Sequence, residues 1–494
     1  MADEYISLKE ALHRPDRLAL TWEMVPGRGV NAPNQKKVLE MAELAAQDRL
    51  LHGITLTDSP GGKPSILTYP LAVAIKKSGI EPIIHYTCKD KNRSAIESDL
   101  YALAGAGLKN LLVMTGDYPM DSVMGQAKPV FDLDSVQTLR LAETLNQKEE
   151  AGFFAGAVVS PFKETEAETM AQYYKLDKKI ASGAQFIISQ MGYDVKKMDE
   201  LAKYMRKKHP NVALIGNVFV LSLPAARLMH ANKIPGCVVS DALLREIEAE
   251  AVLPGEKKER QLLRAAKLYA VLKGLNYDGI NIGGHGLHYQ DVKQIIEQGE
   301  ALSADYQSLL PEFAYAKPGR FYLSAAQPTS GPAGEEAKGK TARLKLFQWL
   351  HETVFAKEAR CFPLIRRIMK QIDDSSLEKS FTYFEFLVKG IANQCRFCGD
   401  CVLHELAFIC PMSSCPKQQR NGACGGSCEG WCEVFPGERK CIYVSIYQAY
   451  RATREERVLQ ERYFPPCNWR LYKTSSWLNY FRQLEEEENE KREK

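Results

Sequence analysis

The chain of 494 residues carries 65 basic and 61 acidic side chains, a formal net charge of +4, and 45% hydrophobic residues. That length buries a sizeable core in two or three domains, and the balanced, scattered charge argues against nucleic acid as a partner. No apolar run reaches the length of a membrane span, and the polar start from Met1 to Asp16 lacks the apolar segment of a secretory signal, so a cytoplasmic protein is expected.

From the N-terminus to about residue 305, short β-branched runs alternate with amphipathic segments, the pattern of a βα repeat. The predicted strands are Leu18 to Glu23, Gly53 to Asp58, Pro82 to Thr87, Asn110 to Thr115, Phe153 to Ser160, Gln185 to Gln190, Val212 to Val218 and Gly279 to Gly283. Most starts lie roughly thirty residues apart, enough for a strand, a crossover helix and two loops. The count points to an α/β fold, a closed (β/α)8 TIM barrel. The competing open, doubly wound sheet lacks a Gly-x-Gly-x-x-Gly after its first strand. The longer interval before the eighth strand is read as an insertion. It includes a helix over Lys257 to Lys273, where Leu262, Leu263, Ala266, Tyr269 and Ala270 recur at helical spacing.

The barrel is expected over residues 1–310, and a linker rich in Pro, Gly, Ser and Ala over 311–340. A smaller helical, cysteine-rich metal-binding domain is expected over 341–494. In that domain Thr341 to Gly390 reads as helical, with Leu344, Phe347, Leu350, Val354 and Phe355 on one face, and Glu485 to Lys494 reads as a solvated helix end or frayed tail.

A barrel presents its reactive side chains at the C-terminal ends of its strands. Polar residues stand there: Glu23, Thr57 with Asp58, His85 with Thr87, Asp117, Ser160 and Gln190. Each alone reads first as a helix cap or a solvated loop residue; their common position points to one pocket. Glu23 and Asp117 place two carboxyl groups there, and different burial would keep one protonated and the other ionised.

Trp22-Glu23-Met24-Val25-Pro26, Leu56-Thr57-Asp58-Ser59, His85-Tyr86-Thr87-Cys88, Gly116-Asp117 and Ser189-Gln190 resemble, in order and spacing, the strand-end motifs of the methylenetetrahydrofolate reductase family. The resemblance spans about residues 15 to 290. It implies that a reduced flavin, FAD or FMN, converts the one-carbon bridge of 5,10-methylenetetrahydrofolate to a methyl group. Glu23 would be the general acid, its pKa raised by burial beside Trp22. Asp117 would stay ionised beside the developing cation, and Gln190 would orient the pterin. Thr57, His85, Thr115, Gly116, Asp117 and Ser160 would border the flavin, and Lys178 with Lys179 would meet its phosphate-bearing arm. The plainer reading of the two lysines is a solvated helix face. Thr115 stands where many relatives carry arginine, Ser160 where an aromatic is common, and Met191-Gly192 follow Gln190 in place of aromatics, which makes FMN as plausible as FAD. Gly283-Gly284-His285-Gly286 reads first as a tight turn, with approach to a phosphate as the alternative, and leaves His285 unassigned.

Ten of the thirteen cysteines fall between Cys395 and Cys467, a crowding that points to metal or iron–sulfur ligation rather than disulfides. Cys395-x-x-Cys398-x-x-Cys401 is a compact ligand run, followed by Cys410, Cys415, Cys424, Cys428, Cys432 and Cys441. A [4Fe–4S] cluster suits the run and passes single electrons, while zinc is the structural alternative. Cys88, Cys237, Cys361 and Cys467 read as ordinary thiols. Cys415-Pro416-Lys417, Asn421-Gly422-Ala423-Cys424-Gly425-Gly426 and Cys432-Glu433-Val434 resemble the cysteine-rich C-terminal domain that accompanies anaerobic-type methylenetetrahydrofolate reductases, over about residues 341 to 450. That likeness implies iron–sulfur or zinc binding and electron supply; a redox partner protein and a homo- or hetero-oligomer are expected. Two other functions stay open: a non-redox barrel that transfers a methyl group from folate to a corrinoid protein, and a scaffold without turnover.

Overall fold

All eight expected strands form and run parallel in a closed barrel: β1 (Ala19–Met24), β2 (Gly53–Leu56), β3 (Pro82–Thr87), β4 (Asn110–Met114), β5 (Phe154–Val159), β6 (Phe186–Ser189), β7 (Ala213–Val220) and β8 (Gly279–Gly284). The last strand closes on the first, with Ala19 opposite Gly279 and Trp22 opposite Ile282. The computed structural model describes residues 6–14, 17–30, 33–315, 319–324, 335–373 and 375–493.

Side chains alternate along each strand, so the barrel has an inner and an outer set. The outer set, which includes Ile54, Leu56, Ile84, Val113, Ile187 and Ile282, packs beneath the surrounding helices in one apolar cluster. The inner set changes character along the axis. At the N-terminal end Ala19, Ile83, Leu112, Phe154, Phe186, Ile188 and Ile215 form an apolar floor, and helix α1 (Leu8–Leu12) seals it with Leu8, Ala11 and Leu12. A reciprocal capping box between Ser7 and Glu10 starts that short helix. Toward the C-terminal end the inner residues turn polar: Thr21, Thr55, His85, Asn217 and Asn281 are all buried. A closed floor under a polar mouth is what positions the site.

The expected insertion lies between β7 and β8 as helices Leu223–His230, Asp241–Val252 and Lys257–Gly274. Of the apolar set read on the last helix, Leu262, Ala266, Tyr269 and Ala270 are buried, whereas Leu263 faces outward. A two-residue hairpin, Asp121–Ser122 with Gly125–Gln126, decorates the loop after β4 and was not foreseen.

The chain divides into two compact units, Met1–Thr329 with Ala423–Arg439, and Ser330–Gly422 with Lys440–Lys494. The C-terminal region is therefore not continuous: residues 423–439 pack with the barrel. The reason is local. Buried Lys163, in the loop after β5, donates its ammonium protons to the carbonyls of Gly425 and Ser427, the second at 2.6 Å. A buried cation requires acceptors, and a glycine-rich backbone comes close enough to supply them. Of the linker expected over 311–340, residues 316–318 and 325–334 lie outside the described residues. Residues 319–324 are strapped within the barrel unit, since Arg320 and Tyr322 bond Asp194 Oδ2 at 2.9 and 2.7 Å. A helix, Glu335–Val354, already begins within the expected linker. Helices Phe362–Asp373, Glu378–Asn393, Ile442–Thr453 and Ser476–Glu493 follow in the second unit. Among the described residues no helix is long and apolar enough to cross a membrane.

Candidate active site at the barrel mouth

Glu23 enters the mouth from the C-terminal end of β1. Burial pushes its carboxyl group up to about 7, and a hydrogen bond from Asn281 on β8 opposes the rise. Thr21 and Thr55 both donate to Asn281 Oδ1, at 2.8 and 3.3 Å, which commits the other end of the amide to donation. The Trp22 ring does not lie beside Glu23 in the mouth. Successive strand residues face opposite ways, and its ring packs outside the barrel against Tyr289 at 6.4 Å. Sequence reasoning missed Asn281, although a lone amide within the apolar run Gly279-Ile280-Asn281-Ile282 was a legible signal.

Asp117 sits three residues beyond β4, where its Oδ2 accepts the backbone N–H of Gly61 at 2.7 Å. The loops after β2 and β4 are thereby tied, and Met120 N–H to Gly62 O at 2.8 Å ties them again. Gly62 has φ +72°, and a Cβ there would lie 2.0 Å from Tyr118 O, so only glycine permits this approach. Gly116, at φ +86°, leaves room for the side chains of Thr87 and buried Lys89, either of which would stand 3.0 Å from an added Cβ. Thr87 Oγ1 donates to Asp58, and Lys89 Nζ to Ser59 O at 3.0 Å.

Thr57, His85, Thr115 and Ser160 are buried at or just below the mouth. Thr57 Oγ1 and His85 Nε2 have no hydrogen-bond partner among the described residues. Burial pushes the His85 imidazole down to about 4, against an upward pull from Asp58, so the ring is neutral around pH 7. Ser160 Oγ donates to Gly236 O at 3.4 Å. The Gln190 amide lies beside the same glycine: its Oε1 accepts Met191 N–H at 3.0 Å, and its Nε2 would be 3.5 Å from a Cβ at Gly236. The carboxylates of Asp117 and Glu23 both add to the burial that pushes the Cys237 thiol up to about 12, with Lys163 opposing. Glu23, Asp117 and Lys163 therefore bear on one buried group.

Lys178 and Lys179, on helix Glu166–Ala181, are buried rather than solvated. Burial pushes both ammonium groups down to about 7. Lys179 Nζ donates to Val158 O on β5, and Asp134 draws both lysines partly back up. Two partly neutralised lysines would regain full charge beside a phosphate. Next to Gln190 a cavity of about 410 Å³ opens, its wall including Phe162, Lys163, Gly236, Cys237, Ser427 and Cys428. Lys163, Gly236, Ser427 and Glu429 are wall residues that no sequence motif singled out as such.

The nine candidate metal ligands are shared between the two units. In the second unit Cys395, Cys398, Cys401 and Cys410 line a single small cavity together with Glu385 and Lys389. Cys467, read as an ordinary thiol, is buried in the same apolar cluster as Cys398, Met412 and Cys410. The loop wraps the sulfurs through Phe397 at φ +58° and Gly399 at φ +75°, and Phe397 N–H donates to Cys395 Sγ at 3.3 Å. Cys415 and Cys441 do not line this cavity, and Cys424, Cys428 and Cys432 belong to the barrel unit. Among the described residues no three His, Cys, Asp or Glu side chains stand at metal-holding geometry.

A family model described as methylenetetrahydrofolate reductase matches residues 9–272, and one described as methylene-tetrahydrofolate reductase C terminal matches residues 375–470. Methylenetetrahydrofolate reductase 2 of Saccharomyces cerevisiae is 29% identical over 183 residues, 35% of this chain and 29% of the relative. Methylenetetrahydrofolate reductase 2 of Schizosaccharomyces pombe is 22% identical over 180 residues, 34% of this chain and 28% of the relative. The chain thus spans 29% and 28% of the length of these two curated relatives. Among solved structures, an uncharacterised protein from Clostridium thermocellum that binds two copies of 5-methyl-5,6,7,8-tetrahydrofolic acid matches 60% of this chain and 99% of its own, at 13% identity and a TM-score of 0.42, a likeness too slight to bear on function.

Proposed function

The chain belongs to the methylenetetrahydrofolate reductase family, and we propose from this premise that it is an oxidoreductase acting on CH–NH groups, reducing 5,10-methylenetetrahydrofolate to 5-methyltetrahydrofolate with a bound flavin. The observation that carries the reading is Glu23, a carboxyl group held near neutrality by burial at the mouth of the barrel. Opening the folate's five-membered ring leaves a cationic iminium and a departing amine that needs a proton. Glu23 is the group that gives it, and a pKa near working pH suits a general acid. Asp117, its carboxylate held by Gly61 N–H, stabilises the iminium. Gln190, with Oε1 engaged by Met191, presents its N–H donors to the pterin.

The residues fit a flavin. Thr57 Oγ1 and His85 Nε2 are buried polar atoms awaiting a partner, and Thr115, Gly116 and Ser160 complete that rim. Lys178 and Lys179 would take the phosphate of either FAD or FMN. When bound, the reduced flavin supplies the electrons that turn the iminium carbon into a methyl group. In the second unit the four cysteines that share one small cavity, Cys395, Cys398, Cys401 and Cys410, have the donor chemistry to hold a [4Fe–4S] cluster, which would relay single electrons from a redox partner protein. Cys415, Cys424, Cys428, Cys432 and Cys441 are left out of that ligand set.

The test is a visible spectrum of the anaerobically purified full chain, with iron and zinc analysis, followed by reduction and addition of methylenetetrahydrofolate. The expected result is a flavin that bleaches on reduction and regains its colour with the folate. A colourless barrel would reject the reading and favour methyl transfer without redox chemistry. Zinc in place of iron would reject the cluster alone.

A further inference from the structure

Lys389 and Glu385 are four residues apart on helix Glu378–Asn393, so their side chains share one face, and both are buried, at 8% and 1% exposure. The ammonium group has three protons and three acceptors: Glu385 Oε1 at 2.7 Å, Ser476 Oγ at 2.6 Å and Cys401 Sγ at 3.8 Å. The Trp477 ring lies 5.0 Å away. Glu385 is equally engaged, accepting from Ser476 Oγ at 2.7 Å, from Trp477 N–H at 3.3 Å and from Ser475 Oγ. The pair cannot swing away from the cysteine cavity without leaving buried donors and acceptors unmet.

A buried ion pair is costly to desolvate, and apolar residues of similar volume often serve folding as well or better. What an apolar pair could not supply is the third N–H, aimed at a sulfur of the ligand run. A hydrogen bond and a positive charge at a ligating thiolate withdraw electron density from a cluster and favour its reduced form, while a nearby carboxylate does the opposite. Resting on the cluster reading above, we propose that Lys389 and Glu385 are opposed positioning residues that set the reduction potential of the centre held by Cys395, Cys398, Cys401 and Cys410. Lys389 raises the potential through Cys401, and Glu385 holds the ammonium in place and moderates its charge.

The experiment is a redox titration of the full chain, following the electron paramagnetic resonance signal of the reduced cluster, which is separable from that of flavin, with iron content measured alongside. Lys389→Met should keep iron and shift the midpoint potential downward; Glu385→Gln should shift it upward. Opposite shifts are the expected result, because a purely structural pair would move both variants the same way or neither. Shifts of one sign, or none, would overturn the proposal. If Lys389→Met fails to fold, Glu385→Gln decides alone: a raised potential supports the role and an unchanged one rejects it. Absence of iron and of the cluster signal in the unaltered chain would reject the cluster itself, and the proposal with it.

Discussion

A carboxyl group whose proton is retained to about pH 7 makes activity and stability depend on pH in a definite way. Folded Glu23 binds its proton more tightly than the unfolded chain does, so between the ordinary value of 4.5 and about 7 stability falls as pH rises. With Glu23 as the proposed general acid, folate reduction should be present below about pH 7 and lost above it. Glu23→Gln should keep flavin, lose about 10²–10⁴-fold in turnover, and melt higher than the unaltered chain above neutrality. Flavin content, stopped-flow turnover and thermal melts across pH check the three parts. Asn281→Leu removes the donor that stabilises ionised Glu23, so the alkaline limb of the activity profile should move to higher pH. The same change leaves the Thr21 and Thr55 hydroxyls without their acceptor, costing about 1–3 kcal/mol for each group, measured by urea unfolding. Glu23 itself was legible as a charged residue ending an apolar strand. Burial as the cause of its raised pKa was legible too; its surroundings were not, because the Trp22 ring faces the other side of the strand and Asn281, which opposes the rise, comes from β8, set beside β1 only by closure of the barrel.

At the scale of elements, the mouth is shaped by loops that hold one another. Gly62→Ala would drive a Cβ into Tyr118 O, a backbone atom that cannot give way, and would separate the β2 loop from the β4 loop that carries Asp117. A loss of about 1–3 kcal/mol in stability is expected, together with weaker folate use, read as a fall in kcat/KM with flavin retained. Lys163→Met should free residues 423–439 from the barrel unit, since the Gly425 and Ser427 carbonyls lose their donor. Limited proteolysis should then cut that segment several-fold faster, while the flavin spectrum stays unchanged. The strands and the inserted helix Lys257–Gly274 were readable because their apolar periodicity reports burial on one face. The docking of 423–439 was not, because a lysine that seeks carbonyl oxygens leaves no periodic trace in the residues it finds.

At the scale of the whole molecule, the proposed cluster rests on the division of the cysteines between the two units. Cys398→Ser should lower iron content and leave photoreduction of the flavin intact, whereas Cys424→Ser, in the barrel unit, should leave iron content unchanged. Metal analysis of the two variants checks the split, and iron loss in both would place the cysteines in one centre after all.

The amino-acid order by itself determined that the chain forms a (β/α)8 barrel and that polar groups end its strands, because alternation and strand spacing are local consequences of backbone geometry and burial. It also determined that thiols crowd near the C-terminus. Only the tertiary structure decided which of those thiols share a cavity, that Lys178 and Lys179 are buried, and that Asn281 rather than Trp22 faces Glu23. Each of these depends on groups distant in sequence meeting in a medium where water no longer screens or satisfies them, and such encounters are fixed by closure of the barrel and return of the chain rather than by neighbouring residues.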